Sequence, residues 1–112
     1  MSEFLFLYRG GERPAGTPEQ MQQVMQKWIS WMNDLQAKGV LKDRGVPLEP
    51  SGKIVRGKDK AVVDGPFAEA KDVVGGFSIV TAKDLAHAVE LSMGCPILQI
   101  GGDVEVRPCL KM

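Results

Sequence analysis

The spacing of apolar and polar residues along the chain predicts several strands separated by two helices. A short apolar run at residues 4–8, rich in aromatic side chains, is typical of a central strand. A second apolar run at 77–80 predicts another strand, and the strict alternation at 104–108 predicts a half-buried one. The segments 53–56 and 60–63 flank a Gly-Lys-Asp turn, so they predict a β-hairpin.

The first helix has the most complete set of signals. Thr17 suits the N-cap, Pro18 the first helical position and Gln20 a capping box. Gly39 marks the expected end of the helix. The apolar residues in between recur at helical spacing and predict one buried face formed by Met21, Val24, Met25, Trp28, Trp31, Met32 and Leu35.

A shorter second helix is predicted after the strand at 77–80. Thr81 is expected to be its N-cap, with Asp84 in the capping-box position. Gly94 and Pro96 are expected to end it. The predicted buried stripe consists of Leu85, Ala88, Val89 and Met93.

The order of these elements predicts an α+β, ferredoxin-like fold in a single domain, residues 1–112. The order is strand, helix, a short extended segment at 40–48, the hairpin, and then strand, helix, strand. Two helices on one face of an antiparallel sheet leave the other face bare. Apolar side chains on that bare face predict a homodimer.

Composition excludes several classes of function. Fourteen Lys and Arg balance fourteen Asp and Glu, so the basic surplus of a nucleic-acid-binding domain is missing. No apolar run approaches the ~20 residues that cross a bilayer, and the start shows no signal-peptide pattern. Cys95 and Cys109 are far apart and lack CxxC spacing, so they are expected to be reduced thiols of a cytoplasmic protein. A disulfide between them is the alternative.

The most distinctive stretch lies between the hairpin and the following strand. Residues 64–77 read Asp-Gly-Pro-Phe-Ala-Glu-Ala-Lys-Asp-Val-Val-Gly-Gly-Phe. Pro66 fixes its own φ and disfavours a helical Gly65, so a sharp turn is expected after Asp64. The Asp64 carboxylate is expected to accept backbone N–H groups from residues 66–69. The glycine pair at 75–76 predicts close backbone approach or a bulge.

This stretch, together with Glu-Val-Arg-Pro at 105–108, resembles the DGPF branch of the YCII-related proteins over nearly the whole chain. The resemblance implies a ferredoxin-like fold paired into a dimeric α+β barrel. It also implies a regulatory partner, because relatives of this branch are often encoded beside, or fused to, extracytoplasmic-function sigma factors. Short YCII-like proteins carry a first-helix histidine that has been proposed as catalytic. Trp28 stands at that place here, so the resemblance does not support a histidine mechanism.

Few residues are candidates for chemistry. His87 is the only histidine and falls outside the predicted buried stripe of the second helix. Without a second histidine or a cysteine cluster, no metal site and no cofactor are expected. Asp64 is the candidate catalytic base, because burial beside Trp28 would favour its neutral form. An Asp64–Arg107 ion pair that only supports the turn is the structural alternative.

These residues predict a site between the first helix and the sheet that binds a small anionic metabolite. Trp28 would supply an apolar wall, unless it is simply core. Asp64 and Glu69 would supply polar groups of the motif, and Arg9 or Arg107 would hold the anion. Three hypotheses follow: an enzyme with Asp64 as base, a ligand-binding or regulatory module, and a dimeric scaffold without a ligand.

Overall fold

The computed structural model describes residues 1–11, 17–49, 51–65 and 73–112. It contains two helices, a short 3₁₀-helix and six strands in these ranges. In chain order the elements are β1 (Ser2–Arg9), α1 (Pro18–Ala37), β2 (Leu41–Asp43), β3 (Gly52–Arg56), β4 (Ala61–Gly65), β5 (Val74–Ala82), α2 (Leu85–Ser92), the 3₁₀-helix (Pro96–Ile100) and β6 (Asp103–Pro108).

Four of the strands form one antiparallel sheet in the order β2-β5-β1-β6. β3 and β4 pair with each other as a separate two-stranded hairpin. Without the hairpin, the chain is a β-α-β-β-α-β unit in which the first strand of each half, β1 and β5, lies in the centre of the sheet. This is the ferredoxin-like arrangement that the sequence predicts.

The core lies between the helices and one face of the sheet. Phe4, Phe6 and Tyr8 of β1 are buried, and the intervening residues are only half-buried, as the two-residue period of a strand requires. Ser78 and Val80 of β5 are opposite Phe6 and Phe4 and fill the same face. The helices cover it with Trp31, Met32, Leu35 and Ala88.

The predicted limits of α1 are confirmed. Thr17 Oγ1 accepts the N–H of Gln20, and Gln20 Oε1 accepts the N–H of Thr17, each at 3.3 Å. Gly39 follows the C-cap with a φ of +73°, a conformation that glycine adopts without strain. Only part of the predicted face is buried, however, since Met21 and Met25 are 59% and 64% exposed.

The predicted N-cap of α2 was wrong, and its predicted buried stripe was right only at Ala88. Thr81 belongs to β5, and Asp84 is the N-cap, where its Oδ1 accepts the N–H of His87 at 2.8 Å. The buried residues of α2 are Ala88 and Ser92, whose small side chains allow the helix to lie close to the sheet, and Leu91 packs partly buried against the core. The larger apolar residues of the predicted stripe, Leu85, Val89 and Met93, are exposed.

The motif region also differs from its prediction at both ends. β4 continues to Gly65, so Asp64 and Gly65 still belong to a strand. β5 begins at Val74, before the predicted start, and the glycine pair lies inside it. The register between β1 and β5 shifts at this point. Tyr8 is opposite Gly76, whereas the next residue, Arg9, is opposite Val74. The predicted turn at 66–69 lies outside the described residues.

Candidate functional site

A cavity of about 640 Å³ lies between α1 and the start of β5. This volume falls within the range of ~300–1,000 Å³ that is typical of small-molecule sites. The described lining residues on α1 are Met21, Val24, Met25, Trp28, Ile29 and Met32. The others are Tyr8, Arg44, Val46, Pro47, Gly75, Gly76, Phe77 and Ile97.

Trp28 is both a core contact and a wall of this cavity. Its ring centroid lies 4.9 Å from that of Tyr8 and 5.9 Å from that of Trp31, and both pairs are close to perpendicular. The indole is nevertheless only half-buried, because part of it faces the cavity. The two alternatives that the sequence left open for this residue therefore both apply.

The segment 44–48 forms another wall and is fastened to β5. The N–H of Leu48 donates to the carbonyl of Gly75 at 2.8 Å, and Pro47 forms an isolated bridge with Gly76. Gly45 has a φ of +68°, and a Cβ there would lie 1.7 Å from the carbonyl oxygen of Phe77. Only glycine fits this approach, which fixes the distance between the segment and the sheet.

A buried chain of hydrogen bonds holds the same wall from inside. The Tyr8 hydroxyl donates to Ser78 Oγ at 2.8 Å, and the Ser78 hydroxyl donates to the carbonyl of Arg44 at 2.7 Å. Burial raises the pKa of Tyr8 well above its ordinary value of 10.0. A tyrosine is neutral near pH 7 even at its ordinary pKa, and here the phenol acts as a hydrogen-bond donor.

Arg44 is the charged residue among the described lining residues. Its Nη2 donates to Asn33 Oδ1 at 2.9 Å and to Gln36 Oε1 at 2.5 Å, and both of these acceptors are neutral amides. In the described ranges no carboxylate lies within ion-pair distance of Arg44. Its positive charge is therefore held in place by α1 and is not neutralised there.

The sequence of this chain matches a known protein family over nearly its whole length. A model of the YCII-related domain matches residues 4–112. The chain belongs to the YCII-related family. The two helices packed on an antiparallel sheet agree with that membership.

The chain is also similar to a solved structure of low sequence identity. This is a 5-chloro-2-hydroxyhydroquinone dehydrochlorinase from Burkholderia phenoliruptrix AC1100, in complex with 2,5-dihydroxybenzoquinone. The match is 16% identical, covers 97% of this chain and 95% of the other, and has a TM-score of 0.46. A search of curated proteins finds no match.

In this YCII-related domain the two predicted anion-binding arginines lie away from the cavity. Arg9 Nε is 2.9 Å from Asp103 Oδ1, and its Nη1 is 3.3 Å from Glu105 Oε1. Arg107 Nη1 lies 3.4 Å from Glu105 Oε2. Both arginines alternate with the inward-facing residues of their strands, so they lie on the sheet face opposite the helices.

Asp64 lies on the hairpin rather than beside Trp28. Its carboxylate is 81% exposed and lies 2.6 Å from Lys53 Nζ. The predicted Asp64–Arg107 ion pair was therefore wrong, because each residue has a different partner. The burial on which the proposed base depended is also missing. Glu69 lies outside the described residues, so Trp28 alone of the predicted site residues lines the cavity within the described ranges.

Tyr8, Ser78 and Arg44 were not among the site residues predicted from the sequence. Ser78 gave a signal, because it is a polar residue at an inward-facing position of an otherwise apolar strand. Nothing in the sequence pattern indicated Arg44, because its segment has no regular spacing of apolar residues. Its proximity to α1 arises only from the fold.

In the part of the chain that the structure describes, the remaining reactive side chains do not form a second centre. Cys95 and Cys109 are both free, and burial raises the pKa of Cys95 to about 12. Over the described residues, no group of three His, Cys, Asp or Glu side chains is arranged to hold a metal ion. Neither helix in these ranges is long and apolar enough to cross a membrane.

Proposed function

We propose that this YCII-related domain binds a small, mostly apolar anion in the cavity between α1 and β5. The observation that carries the proposal is the combination of an apolar wall on α1 with a single described charge, that of Arg44, which has no carboxylate partner among the residues that the structure describes. The volume and the few polar groups are those of a ligand site, whereas a packed core would be filled.

The affinity would come mainly from the apolar wall. Met21, Met25 and Ile29 are large apolar residues exposed at the cavity. A ligand that covers them removes apolar surface from water, which is worth about 25 cal/mol for each Å². The same ligand would exclude water from Arg44 and strengthen its electrostatic contacts.

The charge of Arg44 would select an anion. Asn33 and Gln36 both accept hydrogen bonds from Nη2 of its guanidinium, and this restrains the group before a ligand arrives. A carboxylate would accept charge-assisted hydrogen bonds from Nε or Nη1, because Nη2 already donates to the two amides. The preference for an anion that the sequence predicts is thus retained, with Arg44 in the place of Arg9 or Arg107.

The described residues favour binding over catalysis. Burial raises the pKa of Tyr8 and so disfavours loss of its proton, and no carboxylate or histidine is among the described lining residues. Catalysis by Asp64 stays a prediction, as do the assignment to the DGPF branch, a cytoplasmic location and a sigma-factor partner. Direct binding of a sigma factor by the purified domain would support the regulatory role.

We also propose a homodimer. The sheet face opposite the helices carries Leu5, Leu7, Phe77 and Ile79, which are adjacent in register and only half-buried. Charged residues at the edges of this face, such as Arg107 and Glu105, surround the apolar centre. A second copy would cover this face and leave both cavities accessible on the helix side.

A ligand screen by thermal shift tests the binding proposal. The panel contains small organic acids and the neutral amide of each acid. A ligand at 100 times its Kd adds about 2.7 kcal/mol to the free energy of unfolding, which is readily detected. We expect acids to stabilise the protein more than their amides. Arg44→Gln should remove that difference and weaken acid binding by about tenfold to a hundredfold.

The matched control is Arg56→Gln, because Arg56 is an exposed arginine of the hairpin. This variant should bind acids as the unmodified protein does. Equal losses in both variants, or an unchanged preference in Arg44→Gln, would contradict the proposed role of Arg44. If no acid and no amide stabilised the protein, the binding proposal would be wrong.

A further inference from the structure

The side chains of the cavity point to a specific chemical class of ligand. We infer that it is a flat aromatic acid, whose ring contacts Trp28 and the neighbouring methionines while its acid group binds Arg44. This inference rests on the proposed binding function and adds the nature of the ligand's apolar part.

The first observation is the incomplete aromatic cluster. Tyr8, Trp28 and Trp31 form three near-perpendicular ring pairs with centroid distances of 4.9, 5.9 and 6.0 Å. Trp28 is the half-buried member and lines the cavity. Aromatic rings attract one another beyond simple burial, because the electron-rich face of one ring meets the electron-poor edge of another. A ligand ring beside Trp28 would add a fourth member to the cluster.

The second observation is the sulfur on the same wall. Met21, Met25 and Met32 all line the cavity from α1. Thioether sulfur is polarizable and makes favourable contacts with the edges of aromatic rings. Met21 and Met25 are also exposed and flexible, so they can adjust to a ring that enters.

The third observation is the shape of the β5 side. Gly75 and Gly76 line the cavity with backbone only. A Cβ at Gly76 would lie 3.1 Å from the carbonyl oxygen of Val46, a tight approach that disfavours a side chain at this position. Peptide planes and glycine Cα atoms present a low-relief surface, which suits a planar ring better than a bulky saturated one.

Equilibrium titration with three acids tests the inference. The probes are 2-naphthoate, its fully saturated analogue decahydronaphthalene-2-carboxylate, and linear decanoate. All three carry one carboxylate and a similar amount of apolar surface. We expect 2-naphthoate to bind roughly tenfold more tightly than either saturated acid, because only it can make ring contacts. Isothermal titration calorimetry measures all three without a label.

Variants of the wall locate the preference. Trp28→Leu should reduce the difference between 2-naphthoate and its saturated analogue to about twofold or less. Met25→Leu keeps the size of an exposed side chain and removes the sulfur, so it should weaken 2-naphthoate alone, by about twofold to threefold. Met93→Leu makes the same change on α2, away from the cavity, and should alter neither affinity. The Met25 variant keeps the test valid if Trp28→Leu does not fold.

The outcomes separate the inference from the proposed function. If the three acids bound with equal affinity at a site sensitive to Arg44→Gln, the cavity would be an anion site without aromatic preference, and the inference would be wrong. Tighter binding of decanoate would overturn it in favour of an acyl-chain ligand. If none of the acids bound, the proposed function would fail and the inference with it.

Discussion

Ser78 has no solvent exposure and lies at an inward-facing position of β5, where the neighbouring inward residues are apolar. It accepts a hydrogen bond from Tyr8 and donates one to the carbonyl of Arg44. One hydroxyl thus satisfies two other buried polar groups and connects β1, β5 and the segment that carries Arg44. Such a residue stabilises the fold mainly by preventing unsatisfied groups.

We expect Ser78→Ala to lower the free energy of unfolding by about 1–3 kcal/mol, because it leaves the Tyr8 hydroxyl and the Arg44 carbonyl without partners. Tyr8→Phe should cost less, since Ser78 can still donate to Arg44. Urea denaturation of both variants measures the difference. If Ser78→Ala unfolded at the same urea concentration as the unmodified protein, the chain of hydrogen bonds would not have its assigned role.

The buried thiol of Cys95 is expected to make the free energy of unfolding fall as the pH rises above 9. Burial raises its pKa from 9.0 to about 12 in the folded protein. Between these values the unfolded chain has released the thiol proton whereas the folded chain retains it, so rising pH favours unfolding. The loss approaches about 1.4 kcal/mol for each pH unit. Below pH 9 this loss disappears, because the thiol is protonated in both the folded and the unfolded chain.

Urea denaturation at about pH 8.5 and at about pH 10 measures this loss. Cys95→Ala lacks the thiol, so its free energy of unfolding should fall less over the same interval, although the variant starts from a lower value. Equal slopes for the two proteins would show that the Cys95 thiol ionises as freely in the folded state as in the unfolded one.

At the scale of elements, the segment 44–48 depends on one glycine. The close approach of Gly45 to the Phe77 carbonyl leaves no space for a Cβ, and its φ is positive as well. We expect Gly45→Ala to cost more than 2 kcal/mol, because positive φ alone costs about 1 kcal/mol and the segment must also move away from β5.

Gly39→Ala is the matched control. Gly39 has a similar φ of +73°, but a Cβ there would meet no atom within 4 Å. This variant should lose only the part that is due to φ. Thermal unfolding of the two variants separates the close contact from the backbone conformation, and equal losses would rule out a special packing role for Gly45.

The sequence predicted those elements whose signals are local. The caps of α1 were correct because Thr17, Pro18 and Gln20 act on one another within a single turn. The N-cap of α2 was wrong because Thr81 continues the pairing of β5 with β1, and this long-range ladder prevails over a local capping preference. The predicted buried stripe of α2 was right at Ala88 and wrong at Leu85, Val89 and Met93, which are exposed.

The site was less predictable than the fold. Trp28 was identified from helical spacing, because a helix face repeats regularly along the sequence. Arg44 is held at the cavity by its hydrogen bonds to Asn33 and Gln36 of α1. No pattern in the sequence specifies these contacts. The positive charges of Arg9 and Arg107 suited an anion. These residues alternate with the inward-facing residues of β1 and β6, however, so they lie on the other face of the sheet.

For the whole molecule, the apolar sheet face opposite the helices leads us to expect a dimer in solution. We expect twice the 12.2 kDa of one chain by light scattering at micromolar concentration. Leu7→Glu introduces a charge at the centre of that face, opposite Phe77, and should give the monomer mass. Met93→Glu makes a similar change on the exposed side of α2 and should remain a dimer. A monomeric unmodified protein would contradict the proposed assembly.

The most direct test of the proposed function is a crystal structure of the protein with the tightest-binding acid of the panel. We expect the apolar part of the ligand to lie between Trp28 and the glycine pair of β5, with its acid group within hydrogen-bond distance of Arg44. A ligand bound on the hairpin or on the bare sheet face, with the cavity beside Trp28 unfilled, would contradict it.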